Sequence, residues 1–253
     1  MIDISSVQRI ATALLDARAK GSAADLPAEL VETIDVNSGI RIQQLTLKTL
    51  NRRIAAWKVA VAPDGIVLAA PVLDNVFFQN GTHVPLSICG DCGLECEIAF
   101  RMGRELGPRL LSYSSDEVAD SIEDACVTVE VLNSRLPAKF QSPRGAQLAD
   151  LLSNAALVAG APTTRWRSRE LKNIAFEFRQ DGKTVCAREG GHPTGDPFGA
   201  VVALANHLSS RGIPLAAGAV VTTGSYSGVH FAPKGGSFTL EFSGFPKLAF
   251  TIG

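Results

Sequence analysis

Several familiar signatures are missing from this sequence, and each absence removes a class of function. No apolar run approaches the roughly 18 residues that a membrane-spanning helix needs. Charges of one sign form no long run and the net charge is -1, so a surface for a nucleic acid or a membrane is not expected. The glycine motifs GxGxxG and GxxxxGK(S/T) are absent, which leaves a nucleotide-dependent enzyme without support.

Cysteine is scarce, with five in 253 residues, and an odd number favours reduced thiols. Cys89 and Cys92 have the C-x-x-C spacing of a zinc site, but no second such pair exists and the four histidines are scattered. A structural zinc site needs four ligands at recognisable spacing, so we interpret these cysteines as ordinary small residues beside a turn and a strand. The first residues also lack the basic start and apolar core of a signal peptide, which makes the cytoplasm the expected location.

Apolar residues are plentiful, at 46% of the chain, and are enough for a sizeable core. No linker-like stretch, low-complexity segment or internal repeat interrupts them, so we expect a single domain over residues 1–253. Its first part, 1–53, is predicted to be helical. Apolar residues recur at helical spacing over 6–19, where Gly21 closes the helix, and more weakly over 38–53.

Beyond residue 53 the pattern favours strands, which makes the chain α+β. Asn80-Gly81 is a strong hairpin signal, with Asp74 and Asn75 in the first arm. A second hairpin is expected around Gln180-Asp181-Gly182-Lys183. The end of the chain is predicted to be β, in the runs 219–223, 237–242 and 247–252.

Two helices are expected between these strands. A capping box that begins at Ser114 starts a helix predicted to continue through Ala125. Asp196 and Pro197 suit the first positions of the other helix, and Gly212 ends it.

The run 93–100 is the most unusual stretch, because it carries two carboxylates two residues apart among apolar residues. In an extended strand Glu95 and Glu97 share one face. At about 4 Å, two like charges repel by roughly 4 kcal/mol at an effective dielectric of about 20. A solvated face, a protonated carboxyl or a cation between them would relieve that repulsion, and we favour the cation.

Two more charged residues lie inside apolar runs. Glu130 interrupts the alternating run 126–132, and Lys58 is the only charge in the run 54–62. Such a lysine either extends to an edge or pairs with an anion, and both interpretations stay open. Together with the first two carboxylates, Glu130 makes an all-oxygen set that suits Mg²⁺, Mn²⁺ or Ca²⁺ rather than zinc, with positions left for an oxygen-bearing substrate.

Five segments resemble the fumarylacetoacetate hydrolase superfamily, in the right order along nearly the whole chain. Glu-Cys-Glu-Ile-Ala-Phe at 95–100 resembles its E-x-E-I-A-F segment, and 129–135 resembles E-V-V-D-S-R. Trp57-Lys58 resembles G-W-K-I-G, 215–225 resembles L-x-A-G-D-x-V-L-T-G-S, and 197–212 matches the helix P-x-x-A-V-x-W-L-A-N-x-L. The length and the N-terminal helices are most similar to the branch of 2-oxopent-4-enoate hydratases and 4-oxalocrotonate decarboxylases.

This resemblance implies a mixed β-roll or sandwich with flanking helices, in symmetric homo-oligomers. The implied function is a divalent-metal-dependent lyase acting on a small 2-oxo or 2-hydroxy-dienoic acid, most directly a 2-oxopent-4-enoate-type hydratase of aromatic-compound catabolism. Lys58 is the implied active-site lysine. The implied ligands of Mg²⁺ or Mn²⁺ are Glu95, Glu97 and Glu130. The implied residues beside the substrate are Asp150, Ser153 and Ser225.

The chain departs from the resembled pattern around the substrate. The pattern carries an acidic catalytic residue where a gapless alignment puts Asn75. Asp74 takes that place if the register slips by one, and because a slip reverses the face, only one of the two can be the match. Asn133 replaces the aspartate of D-S-R, and Leu151 replaces an asparagine. These departures concern the substrate more than the metal.

Three other functions stay open. A 4-oxalocrotonate-type decarboxylase would share an enolate intermediate with a hydratase. Hydrolysis of a carbon–carbon bond in an acylpyruvate would need a base, for which His192 and His83 are the candidates. A non-catalytic homologue is the third, although a buried carboxylate triad without a metal would be costly.

Overall fold

The computed structural model describes residues 2–253, and at residue 140 the backbone only. The helices are α1 (Ile4–Lys20), α2 (Ala28–Glu32), α3 (Val36–Leu50), α4 (Ser115–Ser121), α5 (Arg144–Ala149) and α6 (Pro197–Ser209). The strands are β1 (Ile54–Val61), β2 (Val67–Leu73), β3 (Phe77–Gln79), β4 (His83–Val84), β5 (Gly93–Met102), β6 (Ile122–Leu132), β7 (Asn154–Ala159), β8 (Ala175–Gln180), β9 (Lys183–Glu189), β10 (Val220–Thr222), β11 (His230–Phe231), β12 (Gly236–Phe242) and β13 (Leu248–Ile252). Within residues 2–253, no helix combines the length and the apolar character needed to cross a bilayer.

The strands form two mixed sheets. The larger sheet has the order β2-β1-β10-β5-β6-β7-β3, with β11 paired to β5, and the smaller has the order β4-β13-β12-β8-β9. Most neighbours are antiparallel, but β1 and β10, β3 and β7, and β4 and β13 run parallel. These mixed sheets with their helices confirm the predicted α+β class.

The main apolar core joins the two sheets and α6. Cys96, Ile98 and Phe100 enter it from alternate positions of β5, and Phe178 and Phe238 enter it from the smaller sheet. The rings of Phe178 and Phe238 stack with their centroids 5.9 Å apart. Because side chains alternate along a strand, the intervening residues of β5 face the other way and are free to build a site.

The N-terminal helices pack on α5 through a second apolar cluster, which includes Ile10, Leu14 and Ile42. Helices α3 and α5 cross at two glycines: a Cβ on Gly39 would lie 2.0 Å from the carbonyl oxygen of Gly145. A larger side chain at Gly39 would push α5 away, and α5 leads directly into the site described below. The single-domain organisation stays a prediction.

The helix ends follow the visible caps. Gly21 ends α1 in the left-handed conformation, as predicted, but α3 ends at Leu50 rather than at residue 53 because Asn51 turns left-handed. Ser114 starts α4 with the predicted capping box. The predicted continuation through Ala125 is wrong, because β6 begins at Ile122 and hydrogen-bonds to β5 on one side and β7 on the other.

One predicted hairpin is confirmed and the other is wrong. Strands β8 and β9 pair across Asp181-Gly182, both with positive φ, as a two-residue turn requires. The turn at Asn80-Gly81 exists, but β3 pairs with β7 and β4 pairs with β13, so it connects the two sheets. The backbone N–H of Gly81 donates to the carbonyl oxygen of Ala249 in β13, and the side-chain oxygen of Asn80 accepts from the N–H of Ala249. The expected first arm is interrupted by a short 3₁₀ turn at 74–76.

Candidate metal centre

The carboxylates of β5 and β6 come together because the two strands pair side by side. Glu95 lies directly opposite Glu130, and Glu97 lies opposite Thr128. One oxygen from each of the three glutamates lies within 4.8 Å of the others. The even spacing along β5 and the antiparallel register therefore build a single acidic cluster on one face of the larger sheet.

Glu97 is held in a fixed orientation. It is 3% exposed, and the backbone N–H of Gly224 donates to its Oε2 at 2.7 Å. The hydroxyl of Thr222 donates to the same oxygen in a short hydrogen bond. Thr222 lies on β10, which pairs with β5, and Gly224 follows the same strand, so β10 and the residues just after it position this carboxylate.

The acidic cluster is electrostatically unfavourable without a cation. Burial, followed by repulsion from Glu130, raises the pKa of Glu95 to about 7. Burial and then the charges of Glu130 and Glu95 raise the pKa of Glu97 well above its ordinary value. Lys58 is the only cationic residue among the described residues that line this cavity. An all-oxygen donor set with excess negative charge fits a hard divalent ion such as Mg²⁺, Mn²⁺ or Ca²⁺.

Lys58 extends from β1 into the cluster. Its Nζ lies 2.5 Å from Oε2 of Glu130 and donates to the carbonyl oxygen of Leu152 at 3.0 Å. At 6% exposure it is a buried, paired lysine rather than an edge lysine. This contact decides between the two interpretations that the sequence left open.

The turn that presents the Leu152 carbonyl is strained. Leu151, Leu152 and Ser153 have φ values of 53°, 51° and 60°, a left-handed run of three residues that are not glycine. Each such residue costs roughly 1–2 kcal/mol, so the surroundings must hold the run in place. Arg135 does so from both sides: its Nε lies 2.6 Å from Asp150 Oδ1, and its terminal nitrogens donate to the carbonyl oxygen of Asn154.

A cavity of about 330 Å³ opens over the acidic cluster. Ser153 and Ser225 contribute polar side chains to it, whereas Leu132 and Val229 contribute apolar walls. A mostly apolar cleft of this size with a few convergent polar groups is typical of a site for a small molecule.

The structure brings together six of the nine predicted site residues. The six that line this cavity are Lys58, Glu95, Glu97, Glu130, Ser153 and Ser225. Asp150 lies behind it, 2% exposed and paired with Arg135. Asp74 lies 3.8 and 3.9 Å from two exposed arginines, and Asn75 lines a different cavity.

Three contributors to the site had little or no signal in the sequence. Arg135 and Thr222 lie inside the segments 129–135 and 215–225, but their partners could not be read from the chain. The carbonyl of Leu152 had no signal at all, because every residue has a carbonyl and only the left-handed turn aims this one at Lys58.

Neither candidate histidine lines the cavity among the described residues. His192 hydrogen-bonds through Nε2 to the carbonyl oxygen of Thr223 at 2.8 Å, and burial lowers its pKa. His83 lies at the edge of the smaller sheet, bonded to Thr251. No observation therefore favours a histidine base here.

Comparison with known proteins identifies relatives along most of the chain. No protein-family model matches the chain. The chain is 25% identical over 222 residues to a 2-keto-4-pentenoate hydratase of Paraburkholderia xenovorans, across 83% of this chain and 81% of the relative. It is 27% identical over 252 residues to a 2-hydroxyhexa-2,4-dienoate hydratase of Comamonas testosteroni, across 94% and 92%.

A solved structure shares the fold from end to end. The 4-oxalocrotonate decarboxylase of Pseudomonas putida G7, complexed with magnesium and adipate, superposes with a TM-score of 0.86 at 18% identity. The superposition covers 100% of this chain and 99% of the other. At that identity the similarity is one of fold, and it includes the N-terminal helices as well as both sheets.

Proposed function

Because this chain is a member of the fumarylacetoacetate hydrolase superfamily, on the branch of 2-oxopent-4-enoate hydratases and 4-oxalocrotonate decarboxylases, we propose that it is a divalent-metal-dependent lyase. Its substrate is a small 2-oxo or 2-hydroxy-dienoic acid, and the reaction is most directly a hydration. The observation that carries the proposal is the buried set of three glutamates with Lys58 in one small cavity.

The three glutamates would hold Mg²⁺ or Mn²⁺, and the ion, when bound, supplies Lewis acidity to a substrate with neighbouring carboxylate and oxo oxygens. Glu97 is the most firmly positioned of the three, through Thr222 and Gly224. Glu95 is the most exposed of the three.

Lys58 is the residue placed to move a proton. Its ammonium group has three N–H donors, of which one faces Glu130 and one faces the Leu152 carbonyl. The third is left for the substrate. Hydration of a 2-hydroxydienoate moves a proton from the hydroxyl to carbon, after which water adds at the distal carbon. A positioned acid–base group contributes about 100- to 10,000-fold to such a step.

The rest of the cavity suits a short dienoate. The apolar side chains of Leu132 and Val229 provide walls for the carbon chain, and the hydroxyls of Ser153 and Ser225 provide polar contacts for oxygens. The assignment of Ser153, Ser225 and Lys58 to these roles is part of the proposal.

A decarboxylase is the second candidate, and a specific observation favours it. The decarboxylase fold covers the whole chain at a TM-score of 0.86. Loss of carbon dioxide from a 2-oxo-enedioate, at the carboxylate remote from the oxo group, leaves its electron pair in the same dienolate that a hydratase forms. The same lysine would then return a proton to it.

The test combines metal analysis with a substrate panel. We expect bound divalent metal after dialysis against magnesium or manganese and removal of the excess. We then expect metal-dependent loss of the ultraviolet absorbance of a dienoate. Trapped carbon dioxide identifies the decarboxylase, and its absence with loss of absorbance identifies the hydratase. A protein that binds no metal, or that is inert on every short dienoate with metal bound, refutes the lyase proposal and leaves the non-catalytic homologue.

A further inference from the structure

A second cavity shares no lining residue with the metal centre. Its volume is about 160 Å³. The polar residues that line it are Arg18, Arg52, Asn75, Asn133 and Arg135. No acidic side chain is among the described residues of its lining, so the lining is basic and amidic. We call it the basic cavity.

Arg135 forms the buried end of the basic cavity and is electrically paired. It is 2% exposed and lies 2.6 Å from Asp150 Oδ1, and its backbone N–H donates to Oδ2 of the same carboxylate at 2.9 Å. Asp150 is therefore fully engaged by one arginine. Its charge also acts on Arg18, but more weakly than burial and the charge of Arg135 do.

Arg18 reaches the same place from α1 without a counter-ion. It donates one hydrogen bond, to the carbonyl oxygen of Asn154 at 3.0 Å, although a guanidinium has five N–H donors. Among the described residues no carboxylate lies within ion-pair distance of it. Burial, and then repulsion from Arg135, lower the pKa of Arg18 to about 9. It is still protonated at neutral pH, so Arg18 and Arg135 share the single carboxylate of Asp150 and the three groups carry a net charge of +1.

The rim does not supply the missing negative charge. Asp74 is shared between Arg52 and Arg53, at 3.8 and 3.9 Å, and is not part of the lining. Asn75 and Asn133 line the cavity with neutral amides at two positions where the resembled pattern carries acids. At these two positions an acidic residue would offset the positive charge of Arg18, whereas the asparagines offer hydrogen bonds without charge.

We propose that the basic cavity binds a small oxyanion, a short carboxylate or a phosphate, between Arg18 and the amides of Asn75 and Asn133. The planar guanidinium donors match the geometry of carboxylate and phosphate oxygens. The volume is equivalent to about five water molecules, which fits an anion of a few non-hydrogen atoms. This anion site is independent of the lyase reaction.

Calorimetric titration of the metal-free protein with sodium acetate, and separately with sodium phosphate, tests the proposal and distinguishes the two sources of oxyanion. We expect saturable binding of at least one of them. Arg18→Met removes the unpaired cation, and Asn133→Asp adds an internal carboxylate of nearly the same shape. Each should weaken binding about tenfold or more, because charged hydrogen bonds are lost or an anion is repelled.

Two controls separate this site from general charge and from the metal centre. Arg9→Met removes an exposed positive charge from the same helix, and Glu97→Gln alters the metal centre; both should leave the affinity for the anion unchanged. If Arg18→Met fails to fold, Asn133→Asp alone decides. Absence of saturable binding of either anion to the native protein, or equal affinity in the native protein and Asn133→Asp, overturns the proposal.

Discussion

Lys58–Glu130 and Arg135–Asp150 are both buried ion pairs, with N–O distances of 2.5 and 2.6 Å. They meet at the left-handed turn 151–153, because Lys58 binds its middle carbonyl and Arg135 holds the residues on either side. Their surroundings have opposite sign. The first pair adjoins two further carboxylates, and the second adjoins the unpaired guanidinium of Arg18.

The difference between the pairs shows how charge is used in this molecule. A buried pair that is complete in itself contributes structure, since its charges are satisfied internally. The residues beside the two pairs are not satisfied internally, and each excess calls for a ligand of the opposite sign. The excess is negative at the glutamates and positive at Arg18, which is why we propose a cation site and an anion site on two sides of one turn.

The largest expected effect comes from breaking the first pair on its cationic side. Lys58→Met should lower the turnover of the active substrate by about 100- to 10,000-fold, because the proton-moving group is lost. Metal affinity should not fall, since a positive charge next to the ligands is removed. Steady-state kinetics and metal titration measure the two effects. The exposed Lys247→Met is the control and should match the native protein, whereas unchanged turnover in Lys58→Met would remove Lys58 from the mechanism.

Breaking the second pair should first of all cost stability, because Asp150 does not line the cavity over the glutamates. Asp150→Asn leaves Arg135 buried without its carboxylate and next to Arg18, so we expect the free energy of unfolding to fall by about 3–5 kcal/mol. Urea denaturation measures the loss. The matched control is Glu241→Gln, whose pair with Lys247 is half exposed at 2.8 Å and should contribute about 1 kcal/mol or less. Equal losses in the two variants would mean that the buried Arg135–Asp150 pair contributes no more to stability than an exposed pair does.

The metal ligand can be compared with the residue that orients it. Glu97→Gln should weaken Mn²⁺ binding by more than about 100-fold and lower activity with it, whereas Thr222→Val, which removes only the hydrogen bond to Glu97, should weaken binding by about 10- to 100-fold. The rise in Tm on adding Mn²⁺ should be largest in the native protein, smaller in Thr222→Val and smallest in Glu97→Gln. Mn²⁺ affinity as high in Glu97→Gln as in the native protein would exclude Glu97 as a ligand.

The smallest expected effect concerns the strained turn that the two pairs share. Leu152 has positive φ, so Leu152→Gly should be more stable than Leu152→Ala by about 1 kcal/mol. At exposed Gln8, inside α1, the order should be reversed by a similar amount because glycine weakens a helix. Chemical denaturation of Leu152→Gly, Leu152→Ala, Gln8→Gly and Gln8→Ala shows whether glycine or alanine is the more stable at each position. The same order at both positions would show that the turn is not strained.

The sequence by itself predicted much of the fold and singled out the charged residues of the candidate metal centre. Alternation along 93–100 and 126–132 is a local property, so it predicted which residues of each strand share a face. A charge inside an apolar run is costly wherever the strand ends up, which is why Glu95, Glu97, Glu130 and Lys58 could be singled out without coordinates. Caps and two-residue turns are also local, and Gly21, Ser114 and Asp181-Gly182 behave as predicted.

Only the tertiary structure decided which of these groups meet. Strand partners depend on contacts far apart in the chain, so Asn80-Gly81 became a connection between sheets and the helix after Ser114 gave way to β6. The Arg135–Asp150 pair and the left-handed carbonyl at Leu152 have no local signature, because several elements together hold a conformation that the turn would not adopt alone. The same holds for Arg18, which lies beside the Arg135–Asp150 pair only because α1 packs against that part of the molecule.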